Sequence, residues 1–298
     1  MLSIIIPFYN ERDNLPELIT ELESQLHHLN QQYELILVDD GSTDEYIRLL
    51  TPHLGANIKL HVLNRQMGKG KALEEGLKKS RGEIIAFIDA DLQDDPADLP
   101  HFLSQIQQGC DFVNGFRHNR KDNLIIKMYS KLAGWVLRTY LKSPFSDINC
   151  GFKMFKREIL NDVVLYGNNF RFLPLAAFYA GYNVGEVKVN NRARIHGSSK
   201  FGMSKLFIGI IDMFVAYFLY RFAERPLHFF GTIGTFFVGI GGIALTWVTY
   251  DRLFLGVLLY RRPALQYAIF LIILGIQVIM TGIVGELIVY LDKKKLHN

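Results

Sequence analysis

Two long stretches without a charged side chain occupy the last third of this 298-residue chain. Pro226–Tyr250 contains no Asp, Glu, Lys or Arg, and Pro263–Gly285 is a second such run, closed by Glu286. At about 1.5 Å per residue, each can reach across a hydrocarbon layer of about 30 Å. Such segments either cross a bilayer as helices or lie wholly inside a large core. Two in tandem, rich in Gly and large apolar residues, favour the bilayer. Transmembrane helices are therefore expected over about 226–250 and 263–289, within 226–291. The loop Asp251–Arg262 joins them, and 292–298 is a tail carrying Lys293, Lys294 and Lys295. Two spans return the chain to the side it left, and the basic tail, with Lys200, Lys205, Arg221 and Arg225, marks that side as cytoplasmic. Arg252, Arg261 and Arg262 in the loop dilute the bias. Leu206–Tyr220 is apolar except for Asp212, which would be costly in lipid. Within a juxtamembrane segment, 201–225, it reads as an interfacial helix, with a third span as the alternative.

The preceding part, 1–200, has a different texture. Short β-rich runs alternate with helical patterns: Leu2–Ile6, then Leu15, Leu18, Ile19, Leu22, Leu26 and Leu29 at helical spacing, then Glu34–Val38. A helix over Thr43–Leu50, a strand over Ile58–Leu63, a helix over Lys71–Lys79 and the uniformly apolar strand Ile84–Ile88 follow. This alternation predicts an α/β domain with a mainly parallel sheet covered on both faces.

The net charge of +4 and the lack of a basic block argue against nucleic acid as a partner. Cations cluster locally instead, around Arg65–Lys71, Arg117–Lys131 and Arg192–Lys205, which suits a phosphorylated small ligand or anionic lipid. Cys110 and Cys150 are too few for a disulfide framework and read as buried thiols. The first residues lack the basic start and apolar core of a signal peptide, so this domain is expected in the cytosol.

Chemistry concentrates at the carboxyl ends of the predicted strands, where open α/β sheets bind ligands. The first ends in Pro7-Phe8-Tyr9-Asn10-Glu11, the second in Val38-Asp39-Asp40-Gly41-Ser42-Thr43-Asp44. An aromatic ring can stack on a base, and carboxylates can accept its N–H groups; the second stretch alone also reads as a capped turn. Asn64–Ala72 sets glycines beside Lys69 and Lys71 before a helix, an arrangement that approaches phosphate oxygens, though as an isolated feature it is also an ordinary basic turn. Ala72 after Gly70-Lys71 excludes a Walker motif. The fourth strand delivers Asp89-Ala90-Asp91-Leu92-Gln93-Asp94-Asp95-Pro96. Two carboxylates one residue apart need a counter-charge, and their hard oxygens suit Mg2+ or Mn2+ shared with phosphate. A solvated acidic turn is the alternative.

Taken in order, P-x-Y-N-E, V-D-D-G-S-T-D, G-K-G-x-A and D-A-D-L-Q resemble glycosyltransferase family 2, whose fold is GT-A, a Rossmann-like α/β domain. The likeness runs from Leu2 to about Lys205. Asp147-Ile148-Asn149-Cys150-Gly151-Phe152-Lys153 is similar to that family's acceptor-side segment. Arg194-Ile195-His196-Gly197-Ser198-Ser199-Lys200-Phe201 is similar to the segment preceding its membrane helices. Together with two spans, these resemble the polyisoprenyl-phosphate branch; the Q-x-x-R-W of processive synthases is not found.

The resemblance implies roles. Pro7, Tyr9, Glu11 and Asp40 hold the base, with Asp39 nearby and Lys69 by the ribose or diphosphate. Asp89, Asp91 and Gln93 surround the metal and donor diphosphate. Arg117, Lys127, Ser130, Arg192, Arg194, Ser199 and Lys200 receive the acceptor phosphate, a dianion at neutral pH that is already a nucleophile but is repelled by the donor. Lys131, Arg138 and Lys142 read as solvated cations. Asp147 is a base or an orienting group. The expected reaction is inverting, metal-dependent hexose transfer from a UDP- or GDP-sugar to a polyprenyl phosphate at the cytoplasmic face of a membrane, the inner one in a prokaryote. A modified sugar such as an aminoarabinose derivative is one alternative; a catalytically silent nucleotide-binding scaffold is another. Any self-association is expected through the membrane helices.

Two departures from the family pattern stand out. Asp94-Asp95-Pro96 replaces a His-Pro-Pro or Asp-Pro-Pro run, and Lys127 stands where an Arg is expected, with a different grip on phosphate.

Overall fold

A computed structural model describes residues 1–117, 139, 142–163, 169–192, 214–215, 218–219, 222, 225–256, 258 and 263–296. The chain divides into two compact units, Met1–Met213 and Phe214–Asn298.

The first unit is built on seven strands: β1 Leu2–Phe8, β2 Tyr33–Asp39, β3 Ile58–Val62, β4 Ile84–Phe87, β5 Phe112–Arg117, β6 Lys153–Lys156 and β7 Val184–Val189. They lie in the order β3-β2-β1-β4-β6-β5-β7. All neighbours pair in parallel except at β6, which runs antiparallel to both β4 and β5. The strands β5 to β7 were not foreseen from sequence. In β6, lysines flank only Met154 and Phe155, so the apolar run is too short to announce a strand.

Alternation along β1 separates two cores. Leu2, Ile4, Ile6 and Phe8 join one cluster with Leu15, Leu18, Ile19 and Leu22 of helix α1 (Leu15–His28). Leu99, Phe102, Leu103 and Ile106 of helix α4 (Leu99–Gln107) complete that face. Ile5 points the other way, towards helix α3 (Lys69–Lys79), where a Cβ on Gly76 would also meet Val38 at 3.1 Å. On that second face Phe155 packs between Phe87 and Phe112, at ring distances of 5.2 and 5.5 Å. The sheet is therefore covered on both sides, as its uniformly apolar strands require.

Some boundaries differ from expectation. The helix expected over Thr43–Leu50 shrinks to α2 (Ile47–Leu50) and a following 3-10 turn, because residues 43–46 serve the loop described below. Helix α3 starts at Lys69, two residues closer to the phosphate-type loop than expected, with Gly68 before it at φ 93°. Short helices α5 (Ile159–Asp162) and α6 (Leu173–Tyr179) complete the unit.

In the second unit two helices account for the uncharged runs: α7 (Pro226–Leu255) and α8 (Pro263–Leu296). Both run past the predicted ends, and residues 292–296 of the expected tail are helical. Gly256 at φ 69° takes the left-handed position that stops α7. Only 11% of the most apolar stretch in α7 and 17% of that in α8 are buried. Side chains such as Ile243, Trp247 and Phe270 point outwards, more than half exposed. Core helices of a soluble protein would be covered; these are long and apolar enough to cross a membrane.

The helices meet along small residues. A Cβ on Gly234 would lie 2.5 Å from the Gly275 carbonyl, and one on Gly241 2.8 Å from that of Ala268. At the other end the Glu286 carboxylate accepts the Leu227 N–H at 3.2 Å, satisfying a donor in the first turn of α7. Gly275→Val should force the pair apart and cost about 1–3 kcal/mol, read as a lower unfolding temperature in detergent, whereas Gly239→Ala, in open space, should change little. The interfacial helix expected over 206–220 falls mostly outside the described residues. Phe214, Phe218 and Phe222, spaced by four, are helical and pack on Phe229 at 5.1–6.0 Å, the first two edge-wise and the third tilted.

Candidate active site

The sheet register brings one set of loops to a single edge. The carboxyl ends of β1, β2, β3, β4, β5 and β7 share it with the amino end of the antiparallel β6, since Lys153 pairs with both Phe87 and Asn114.

Consecutive loops along this edge are tied to each other. Asn10, at φ 54°, accepts the Thr43 N–H at 2.8 Å and donates its own N–H to Ser42 Oγ, and Asp44 accepts the Arg12 N–H. The Glu11 carboxylate holds the Asn14 amide at 2.6 Å. Pro7 lies buried at the strand end with Tyr9 half-exposed beyond it. Asp40 is buried and takes the N–H groups of Met67 and Gly68 at 2.7–3.1 Å, so it shapes the Lys69 loop. Gly41 is needed there: a Cβ would strike the Arg65 and Gln66 backbone at 2.7 Å, and φ is 74°. Asp39, expected near the base, is instead bonded within the protein. Its oxygens accept the Ser42 N–H at 2.7 Å and the Tyr46 hydroxyl at 2.7 Å, because a carboxylate only 2% exposed must be satisfied internally.

The D-x-D turn follows β4. Asp91 is half-buried and accepts the Gln93 N–H at 3.2 Å, while Leu92 between them is fully buried at φ 57°. A left-handed leucine is uncommon and marks a tightly determined turn. Lys69 forms an ion pair with Asp89 and lies over the Phe170 ring. Burial would raise the Asp89 pKa, but Lys69, and then Lys153 and Arg117, hold it below the usual carboxylate range.

From the other side comes the segment 147–153. Arg117 Nε and Nη2 donate to the two Asp147 oxygens at 2.8 and 3.3 Å, and Asn149 N–H adds a third bond. Burial disfavours the guanidinium charge, yet Asp147 outweighs it and keeps Arg117 firmly protonated. Asn114 holds the Asp147 carbonyl at 2.8 Å. Lys153, 3% exposed, donates to the Ile148 and Cys150 carbonyls and braces the loop from beneath. Burial pulls the Lys153 pKa down to about 8 and pushes Cys150 up to about 12.

Sequence reasoning gave no role to Asp94 or Lys153. A Cβ on Gly151 would meet Asp89 Oδ2 at 2.6 Å and Asp94 Oδ2 at 2.9 Å, so both carboxylates converge on this glycine. Burial, and then the Asp89 charge, push Asp94 up to about 7. The available signal was a third acid after the D-x-D, and a lysine set between buried Phe152 and Met154.

Arg192 departs from its expected place in the acceptor strip. Its guanidinium clasps Glu21 of α1 at 2.8–2.9 Å and Asp95 at 2.6 Å, and its N–H bonds the Gln93 carbonyl. Those two carboxylates already neutralise its charge. Lys127, Ser130, Arg194, Ser199 and Lys200 lie outside the described residues, as do Lys131 and Arg138.

Among the described residues no three His, Cys, Asp or Glu side chains form a ready-made metal cage. The oxygen donors of the turn fit a hard divalent ion held by one or two carboxylates, with phosphate filling other positions. Asp94 Oδ2, buried without a hydrogen-bond partner among the described residues, is one more oxygen acceptor of the kind such an ion takes.

Residues 3–164 match the profile of glycosyl transferase family 2. A dodecaprenyl-phosphate galacturonate synthase of Rhizobium johnstonii is 34% identical over 297 residues, covering 96% of this chain and 87% of that one. An undecaprenyl-phosphate 4-deoxy-4-formamido-L-arabinose transferase of Aeromonas hydrophila is 30% identical over 292 residues, covering 97% and 88%. The glucosyl-3-phosphoglycerate synthase of Mycobacterium tuberculosis, solved with Mn2+, UDP and phosphoglyceric acid, has a similar fold. Its TM-score is 0.59 at 19% identity, over 74% of this chain and 78% of that one.

Proposed function

This chain belongs to glycosyltransferase family 2, and from that premise we propose that it transfers a sugar from a nucleoside diphosphate to a polyprenyl phosphate in a membrane. The observation that carries this reading is the single edge on which the base-side loops, the D-x-D turn and the Arg117–Asp147 pair stand together, in a chain that also has two bare apolar helices. The two relatives named above are both called polyprenyl-phosphate sugar enzymes and match almost the whole chain, helices included.

The residues divide the work. The joined loops of β1 and β2 present Pro7, Tyr9 and Glu11 to the base, while Asp40 fixes the Lys69 loop. Lys69 reaches the donor diphosphate. Asp89 and Asp91, with Gln93, hold a divalent ion, Mg2+ or Mn2+, which when bound offsets charge on the departing nucleoside diphosphate. Arg117 receives the acceptor phosphate, with Lys127, Ser130, Arg194, Ser199 and Lys200 as further contacts. A dianionic phosphate needs little deprotonation, so Asp147 serves to aim Arg117 rather than to act as base. The product sugar has the inverted anomeric configuration.

The catalytic unit sits on the cytoplasmic face, and α7 and α8 form its anchor. The names of both relatives, a galacturonate synthase and a formamido-arabinose transferase, make a modified sugar a second reading beside a plain hexose. A donor panel tests both readings: detergent-purified protein, polyprenyl phosphate, Mg2+ or Mn2+, and radiolabelled nucleotide-linked glucose, mannose, galacturonate and 4-formamido-arabinose. One donor should move label into a chloroform-soluble, acid-labile product. Label that stays aqueous with every donor counts against the proposal.

A further inference from the structure

We propose that Asp94 is a further carboxylate of the cation site, acting with Asp89 across Gly151. The inference rests on the metal-dependent reading above. Asp94 is 4% exposed, and its Oδ2 has no hydrogen-bond partner among the described residues. A buried acceptor left in that state costs free energy that a native protein normally recovers through some partner.

The position of the orphaned oxygen identifies the partner. Asp89 Oδ2 and Asp94 Oδ2 both abut the place where a Gly151 Cβ would stand, at 2.6 and 2.9 Å. Only glycine fits there: both carboxylates crowd its α-carbon, and a Cβ would strike them. The described cations nearby are committed elsewhere. Lys69 is paired with Asp89 Oδ1, Lys153 donates to the Ile148 and Cys150 carbonyls, and Arg117 is paired with Asp147. The neighbouring acid is different: Asp95 is paired with Arg192 and bonded by Asn190 at 3.0 Å. Two acidic oxygens gathered beside one glycine, with the described local cations already used, suit a hard divalent ion whose remaining positions go to phosphate or water. Because no three-sided cage is preformed among the described residues, the site gains its full strength only when the donor diphosphate arrives.

The test is Mn2+ binding to the full chain in detergent, followed by the electron paramagnetic resonance signal of free Mn2+ with and without UDP, alongside unfolding temperature. Asp94→Asn preserves shape and removes the charge. It should weaken Mn2+ binding by about 10- to 100-fold. It should also raise the unfolding temperature of the metal-free protein, since a buried acid held against the Asp89 charge is gone, and reduce the further rise on adding Mn2+. Gly151→Ala, which keeps both carboxylates but pushes their oxygens out of place, should weaken Mn2+ binding as well. Asp91→Asn is the control for the underlying reading. If Asp91→Asn abolishes Mn2+ binding while Asp94→Asn leaves it unchanged, the Asp94 assignment is wrong and the metal reading stands. If neither changes it, the metal reading itself fails. A lower metal-free unfolding temperature for Asp94→Asn would also overturn the assignment, because it would make Asp94 a satisfied structural group.

Discussion

Asp91→Ala is expected to slow sugar transfer by about a thousandfold or more, with Mg2+ and Mn2+ alike, and to leave the fold intact. The size follows from what the carboxylate does. Transfer leaves a nucleoside diphosphate with growing charge, and losing one ion-binding oxygen donor removes several kcal/mol of its stabilisation. Folding should survive because Asp91 is only half-buried and lies outside the apolar cluster that holds the domain together. Steady-state rates at saturating donor and acceptor, beside a circular dichroism melt, separate the two effects. An Asp91→Ala enzyme with near-normal transfer would remove the metal assignment.

Arg117→Ala should do damage of two kinds. Both partners of the Arg117–Asp147 pair are largely covered, with side chains 17% and 13% exposed. Removing the guanidinium leaves a buried carboxylate without its ion-pair partner, at a cost of about 3–5 kcal/mol in stability. It also removes a fixed cation from the acceptor side, so the response to polyprenyl phosphate should weaken more than the response to donor. The double replacement Arg117→Met with Asp147→Leu distinguishes these. It should recover much of the stability, because no lone charge remains, and recover none of the acceptor response. Asp147→Asn keeps a bond acceptor for Arg117. Its pH–rate profile should keep the parent shape, with activity retained, since Asp147 aims a cation rather than taking a proton. An acceptor response unchanged in Arg117→Ala would take Arg117 out of the acceptor site.

How much of this was legible in sequence varies by element. The first four strands and the D-x-D turn announce themselves, because β1 to β4 are short, largely apolar runs ending in conspicuous polar motifs. The uncharged runs announce α7 and α8 for a similar reason: length and lack of charge are local properties. Strand β6 does not, since its two lysines hide a buried pair, and its antiparallel course follows from pairing with β4 and β5 rather than from its own residues. The meeting of Asp94 with Asp89 over Gly151 exists only after that pairing has formed. Arg192 illustrates the same limit. Its partner Glu21 lies 171 residues away, so a cation read as part of an acceptor strip became a clasp on α1. Asp39 and Asp40 show that a motif locates a loop more surely than it assigns the atoms. Both carboxylates are largely consumed in holding the loops that carry the neighbouring residues.

The most direct test of sugar transfer to a lipid phosphate is the dependence of nucleoside diphosphate release on acceptor, with the lipid product weighed by mass spectrometry. With the donor selected by the panel, release should require polyprenyl phosphate and a divalent ion, and each nucleoside diphosphate should be matched by one polyprenyl phosphate gaining one sugar. Release of the same amount without the lipid, or a lipid of unchanged mass, would contradict it.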